Sequence, residues 1–262
     1  MTRRKPTKLP SPFLRRLTLR REVMDEKKGY PFDLPWLHDE GFELRFTTPV
    51  TIVVGENGTG KSTLIEAIAA LSGYDEAGGG KGYRPVDHSQ AIDQSGANLA
   101  EALRAAWLPK ITDGWFFKAE SFFSVARYLD DAAINSDIPA APPDYLSWSH
   151  GEGFVRFFEE RMSRQGIYFM DEPESALSPK RQLELLRLLN SIQERGNSQV
   201  IMATHSPILM ALPNATVLEV TRGSIAETDF RETSHFKLYR SFISDPKEFV
   251  AEAIRDADYG PD

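Results

Sequence analysis

The run Gly55-Glu56-Asn57-Gly58-Thr59-Gly60-Lys61-Ser62-Thr63 holds the residue types that a triphosphate requires. Glycines let successive backbone N–H groups converge on phosphate oxygens, and a helix N-terminus behind them adds partial positive charge. Lys61 is spaced to reach β- and γ-phosphates, and Ser62 to offer a hydroxyl to Mg²⁺. A second string, Ile167-Tyr168-Phe169-Met170-Asp171-Glu172, ends an apolar run in two carboxylates. Asp171 would hold Mg²⁺ through water, and Glu172 would orient and polarise an attacking water. In Ala203-Thr204-His205-Ser206-Pro207, His205 stands just past a strand, within reach of the γ-phosphate or that water. Finally, Trp148-Ser149-His150-Gly151-Glu152-Gly153 sets a serine and glycines at a helix start, a second anion-binding terminus. One nucleotide needs one cradle, so the spare implies a site completed by another subunit.

Such residues need a scaffold that brings them to one edge. Thr51–Val54 is a β-branched run that reads as a buried strand, and Leu64–Leu71 has helical apolar spacing, so the glycine-rich run sits between strand and helix. Further strands are expected at Phe42–Phe46, Trp115–Phe117, Ile167–Met170, Gln199–Ala203 and Thr216–Val220. Helices are expected at Asn98–Trp107, Gly151–Arg164 and Pro179–Arg195, the last opened by Ser178 as N-cap. The alternation predicts an α/β fold with a mainly parallel sheet flanked by helices, whose strand C-termini gather ligands. Gly73–Gly82, with five glycines, reads as a mobile loop, and 130–147, with Pro139, Pro142 and Pro143, as a connector. No internal repeat and no sustained heptad pattern is present.

At 262 residues and 41% hydrophobic, the chain suffices for one large domain, here read as a single unit over 1–262. A net charge of −7 argues against a uniformly basic nucleic-acid binder. Residues 1–21 nonetheless carry eight Lys/Arg and no acid, a basic arm read as a solvated terminus, with nucleic acid or an acidic partner as the alternative. No apolar run has the length of a secretory signal or a membrane span, and zero cysteines exclude disulfides and fit a reducing, cytoplasmic setting. The five histidines lack ligand spacing, which disfavours structural zinc.

The order of these motifs over 50–220 resembles the ATP-binding cassette superfamily of P-loop NTPases. Gly55–Thr63 is similar to its Walker A loop, Ile167–Glu172 to Walker B with the catalytic glutamate, Ser149–Glu152 to its signature, Ser175–Ser178 to its D-loop and His205 to its switch histidine. The resemblance implies a small helical lobe, placed at about 95–165, that carries the signature. It also implies an ATPase that forms a homodimer around two Mg-ATP, with Ser149 and Gly151 on the γ-phosphate held by the other subunit. The chain departs from the pattern at His150, Glu152 and Ser178. Glu120 stands where the Q-loop glutamine is expected, either as a Mg²⁺-side acid or as an exposed loop charge. The Asp-Glu-Pro-Glu-Ser-Ala-Leu-Ser-Pro string is more similar to the soluble AAA-type branch related to chromosome-maintenance and recombination-repair ATPases. The interval before the signature is too short for the coiled coil of some such relatives. The leading expectation is therefore an ATPase that drives an unidentified protein partner. The nucleotide-binding subunit of a transporter, or a DNA-associated repair or defence ATPase, is the alternative. Tyr30 and Phe32 are candidates to stack on the base.

Overall fold

The computed structural model describes residues 9–81, 95–111, 113–119 and 150–256. Among the described residues, ten strands form two sheets. In chain order they are β1 (Leu14–Leu19), β2 (Glu43–Arg45), β3 (Val50–Val54), β4 (Gly79–Gly80), β5 (Leu103–Trp107), β6 (Gly114–Lys118), β7 (Ile167–Asp171), β8 (Gln199–Ala203), β9 (Thr216–Val220) and β10 (Ile225–Thr228). The α-helices among the described residues are α1 (Arg21–Met24), α2 (Lys61–Ser72), α3 (Ser95–Glu101), α4 (His150–Arg161), α5 (Pro179–Arg195), α6 (Ser234–Ser244) and α7 (Pro246–Asp256).

The large sheet runs β10-β9-β3-β8-β7-β6-β4. Its five central strands are parallel, and the two edge strands are antiparallel. Every residue of β3, β7 and β8 is buried, as expected for strands covered on both faces. Alternate residues supply two separate cores. Val53, Phe169, Ile201 and Ala203 pack with α2 and the small sheet, while Ile52, Met170, Val200 and Met202 pack with α4 and α5. Leu185, Leu189 and Ile192 form the buried stripe of α5, at helical spacing. Among the described residues, no helix is long and apolar enough to cross a membrane.

Four expectations change. The basic arm is, from Leu14 onward, the central strand of the antiparallel sheet β2-β1-β5. Phe13, Leu14 and Leu17 are wholly buried, and the Gln199 side chain locks the arm to the large sheet. Its Oε1 accepts from the backbone N–H of Phe13 and Leu14, each at 2.8 Å, and its Nε2 donates to the Leu14 carbonyl at 3.0 Å. Two of the arm's arginines are engaged, Arg16 with Glu43 at 3.3 Å and Arg21 with the Leu37 carbonyl at 3.1 Å. Residues 1–8 lie outside the described residues.

The helix expected over 98–107 ends at Glu101, and Leu103–Trp107 pairs with β1 instead. Pairing with a neighbour outweighed a weak local preference. The stretch 95–165, placed as a helical lobe, thus also holds β5 and, where a strand was expected at 115–117, β6, a parallel member of the large sheet. The expected mobile loop at 73–82 includes β4, which pairs with β6. Gly80 there lies flat on the Trp115 ring, where a Cβ would come within 2.8 Å of the indole.

Candidate functional site

One row of the sheet sets the site. Val53 of β3 pairs with Ala203 of β8, Ala203 with Asp171 of β7, and Asp171 with Lys118 of β6. Immediately beyond this row come the phosphate loop, His205 and Glu172, so residues far apart in sequence share one edge, at the strand C-termini. The expectation that the His205 strand neighbours the Asp-Glu strand holds.

The loop between β3 and α2 is braced from outside. Gly55 has φ +152°, and a Cβ would meet the Val220 carbonyl oxygen at 2.2 Å, so only glycine fits. Gly60 has φ +92° and packs against Leu34 and Trp36. The Trp36 indole Nε1 donates to the Thr59 carbonyl at 2.8 Å. Motif reading missed Trp36, because nothing in Pro35-Trp36-Leu37 announces a role. No side chain caps the start of α2, which leaves its first N–H groups for a ligand. Tyr30, half exposed, hydrogen-bonds Thr63 of α2 through its hydroxyl, whereas Phe32 is buried in the core. Of the two base-stacking candidates, only Tyr30 is accessible.

Lys61 is 4% exposed, and its Nζ donates to the Glu56 carbonyl at 2.9 Å. Burial pulls its pKa down, and the opposing charges of Glu172, Asp171, Glu56 and Glu174 pull it back up. Ser62 donates its hydroxyl to Asp171 Oδ1 at 3.1 Å. Burial pushes the Asp171 carboxyl up to about 7, with Lys118 opposing the rise and Glu66 adding to it. Lys118 is tied to Glu66 of α2 at 2.6 Å, a partly buried pair that motif reading also passed over. A cavity of about 70 Å³ opens among Ser62, Lys118, Ala119, Asp171, Glu172 and Ser175. The hydroxyl and carboxylate oxygens at its wall suit a hard cation such as Mg²⁺, which takes few protein ligands beside phosphate and water. The described residues contain no cluster of three or more His, Cys, Asp or Glu that could hold a metal ion.

Glu172 departs from ordinary backbone geometry, with φ 47° and ψ 53°. A non-glycine residue held left-handed at a site is local strain maintained by its surroundings. Its N–H donates to the Ala203 carbonyl at 3.0 Å, and its carbonyl accepts from Ser175 Oγ at 2.7 Å and Ser175 N at 3.1 Å. These bonds clamp the backbone and leave the carboxylate side chain 41% exposed. His205 Nε2 stands 3.5 Å from Glu172 Oε1, and its backbone N–H donates to Glu174. Its other ring nitrogen, Nδ1, lies 2.9 Å from His235 Nε2. Burial lowers the His205 pKa, assisted by Lys61, with Glu172 opposing. Burial raises the Glu174 carboxyl.

The expected residues therefore separate into two sets. Gly55 to Thr63, Asp171, Glu172 and His205 converge. Gly151 lies in the first turn of α4, whose aromatic residues pack on the opposite face of the sheet from α2. Ser149 and Glu120 lie outside the described residues. Ser178 occupies the N-cap position of α5, but its side chain makes no capping hydrogen bond.

Two family models match the chain: "AAA domain" over 34–104, and "AAA domain, putative AbiEii toxin, Type IV TA system" over 141–211. The hemin import ATP-binding protein HmuV of Enterobacter cloacae is 24% identical over 201 residues, which covers 69% of this chain and 74% of that protein. The chain carries AAA-domain sequence in two stretches and is similar to ABC-type ATP-binding proteins. It is also 26% identical to the energy-coupling factor transporter ATP-binding protein EcfA of Pediococcus pentosaceus, over 68% of its own length and 66% of the relative's. Among solved structures, the SMC head domain from Thermotoga maritima aligns with 83% of the chain and 98% of its own, at a TM-score of 0.42 and 16% identity.

Proposed function

We propose that this domain binds Mg-ATP at the β3–α2 loop and hydrolyses it to ADP and phosphate, closing as a head-to-tail homodimer around two nucleotides. The observation that carries the reading is the convergence of Lys61, Ser62, Asp171, Glu172 and His205 beyond one row of three adjacent strands. Lys61 now donates to a loop carbonyl and would exchange that acceptor for β- and γ-phosphate oxygens, which are charged and bind it more strongly. Ser62 and Asp171 would hold Mg²⁺, with Glu120 as a further candidate ligand. The ion, when bound, neutralises charge on the phosphates. Glu172 accepts a proton from the attacking water as its oxygen bonds to the γ-phosphorus and the bond to the ADP oxygen breaks. His205, beside Glu172 and kept neutral by burial, is placed to donate to the γ-phosphate. Ser149 and Gly151 would serve the partner subunit's nucleotide.

Glu172→Gln tests the reading. The amide keeps the shape and loses the base, so turnover should fall roughly 10²–10⁴-fold while ATP binding survives. Stalled ATP should then shift the population toward the closed dimer, read by light scattering with and without Mg-ATP. Hydrolysis at the parental rate would refute the assignment.

The dimer would work on a partner, in the cytoplasm. Similarity to a hemin import ATP-binding protein and to an energy-coupling factor transporter ATP-binding protein favours a transporter subunit as that partner, and co-purification with a membrane protein would support it. ATPase stimulation by DNA that fades steeply with salt would support the repair or defence reading instead.

A further inference from the structure

His235 lies outside every motif, thirty residues past His205, yet the two rings meet with their centroids 5.0 Å apart. Considerable structure is spent on its placement. Thr233 is wholly buried, donates to the Phe230 carbonyl at 2.6 Å and accepts from Phe236 N at 3.2 Å, capping α6. Ser234 donates through both its N–H and its hydroxyl to Glu219 Oε1, each at 2.9 Å. Glu219 belongs to β9 and pairs in register with Val54, the residue before the phosphate loop. Phe236 packs edge-on against Phe230 at 5.2 Å. The three residues flanking His235 are thus each anchored, while α6 as a whole buries none of its residues.

We propose that His235 is the positioning residue of His205, fixing its tautomer and ring orientation for the reaction. The inference rests on the ATPase reading above. Two ring nitrogens 2.9 Å apart share one hydrogen, so one donates and the other accepts. The neighbour of His205 on its far side decides which. Glu172 carries an acceptor-only carboxylate 3.5 Å from His205 Nε2, and that side favours a hydrogen on Nε2. His205 Nδ1 is then a lone pair, and His235 donates to it from Nε2–H. The order is His235 Nε2–H to His205 Nδ1, then His205 Nε2–H toward Glu172 and the γ-phosphate. Without His235, His205 can flip its ring or carry its hydrogen on Nδ1, and its donor no longer faces the chemistry. A base oriented by a third group is a general catalytic arrangement, here with a donor in the oriented role.

The tests are His235→Ala and His235→Gln, the latter placing an amide N–H where Nε2 was. We expect kcat for ATP to fall about 10–100-fold in His235→Ala with KM little changed, and to recover largely in His235→Gln. On a His205→Ala background, His235→Ala should cost nothing further, because it acts only through His205; equal losses on both backgrounds would mean a merely structural role and overturn the proposal. Ring-nitrogen NMR of the parent should find the hydrogen of His205 on Nε2, and in His235→Ala a mixture of tautomers. A His205 hydrogen on Nδ1 in the parent overturns the proposal whatever the ATPase does. A parent that binds but does not hydrolyse ATP, with the Nε2–H tautomer present, refutes the ATPase reading while the positioning contact stands. An active parent with an equally active His235→Ala refutes the positioning role alone.

Discussion

Asp171→Asn should stabilise the nucleotide-free domain while abolishing the cation site. The Asp171 carboxyl is 8% exposed and titrates at about 7 against 3.8 for a free side chain, mainly because burial penalises its charge. Between those two values the folded state holds a proton that the unfolded state has lost, so stability falls as pH rises through this window. At about 1.36 kcal/mol per pH unit of displacement, the ionised carboxylate costs the folded state up to about 4 kcal/mol above pH 7. Asparagine is of equal size, keeps an oxygen for the Ser62 hydroxyl, and carries no charge to desolvate. Below about pH 4 parent and variant should melt together. The variant's advantage should grow through pH 5 and 6 and level off above 7. Since 1 kcal/mol moves the midpoint by roughly 2–4 °C in a domain of this size, a gain of several degrees at pH 8 is expected. Thermal unfolding monitored by circular dichroism across this pH range, with Mg²⁺ and ATP present or absent, is the assay. Saturating Mg-ATP should raise the parent midpoint by mass action and leave the variant nearly unmoved. A variant no more stable than the parent at pH 8 without ligand would refute the claim that charge burial at Asp171 outweighs what Lys118 and Ser62 return.

Other predictions follow from single contacts. Lys61→Ala removes the cation that faces four carboxylates, so titration calorimetry should find Mg-ATP affinity lost while circular dichroism still reports a folded chain. Unchanged affinity would move the site elsewhere. Trp36→Phe keeps an aromatic ring in the core but strips the bond to the Thr59 carbonyl, and should cost about 1–3 kcal/mol in denaturant unfolding together with weaker nucleotide binding. Ser149→Arg should block ATP-dependent dimerisation, read by light scattering, and spare ATP binding by the monomer; loss of monomer binding would place Ser149 in its own subunit's site.

The phosphate loop, the Asp-Glu strand and His205 were legible from local sequence alone. Each depends on short-range constraints: glycines where the backbone must turn left-handed, an apolar run that has to be buried, carboxylates where it stops. The bounds of α5 and β8 were likewise readable, because amphipathic spacing and β-branched runs report burial directly. What tertiary structure alone decided is pairing. Whether 103–107 continues a helix or becomes a strand depends on β1 being alongside, and β1 is held there by Gln199, some 185 residues away in the chain. The same holds within the site. The Lys118–Glu66 pair, the Trp36 brace and the His205–His235 contact join residues from different elements, and no spacing rule links them. Sequence periodicity records how a residue sits relative to its own helix or strand. Which elements become neighbours, and so which side chains meet at the strand ends, is decided by the packing of two cores on one sheet.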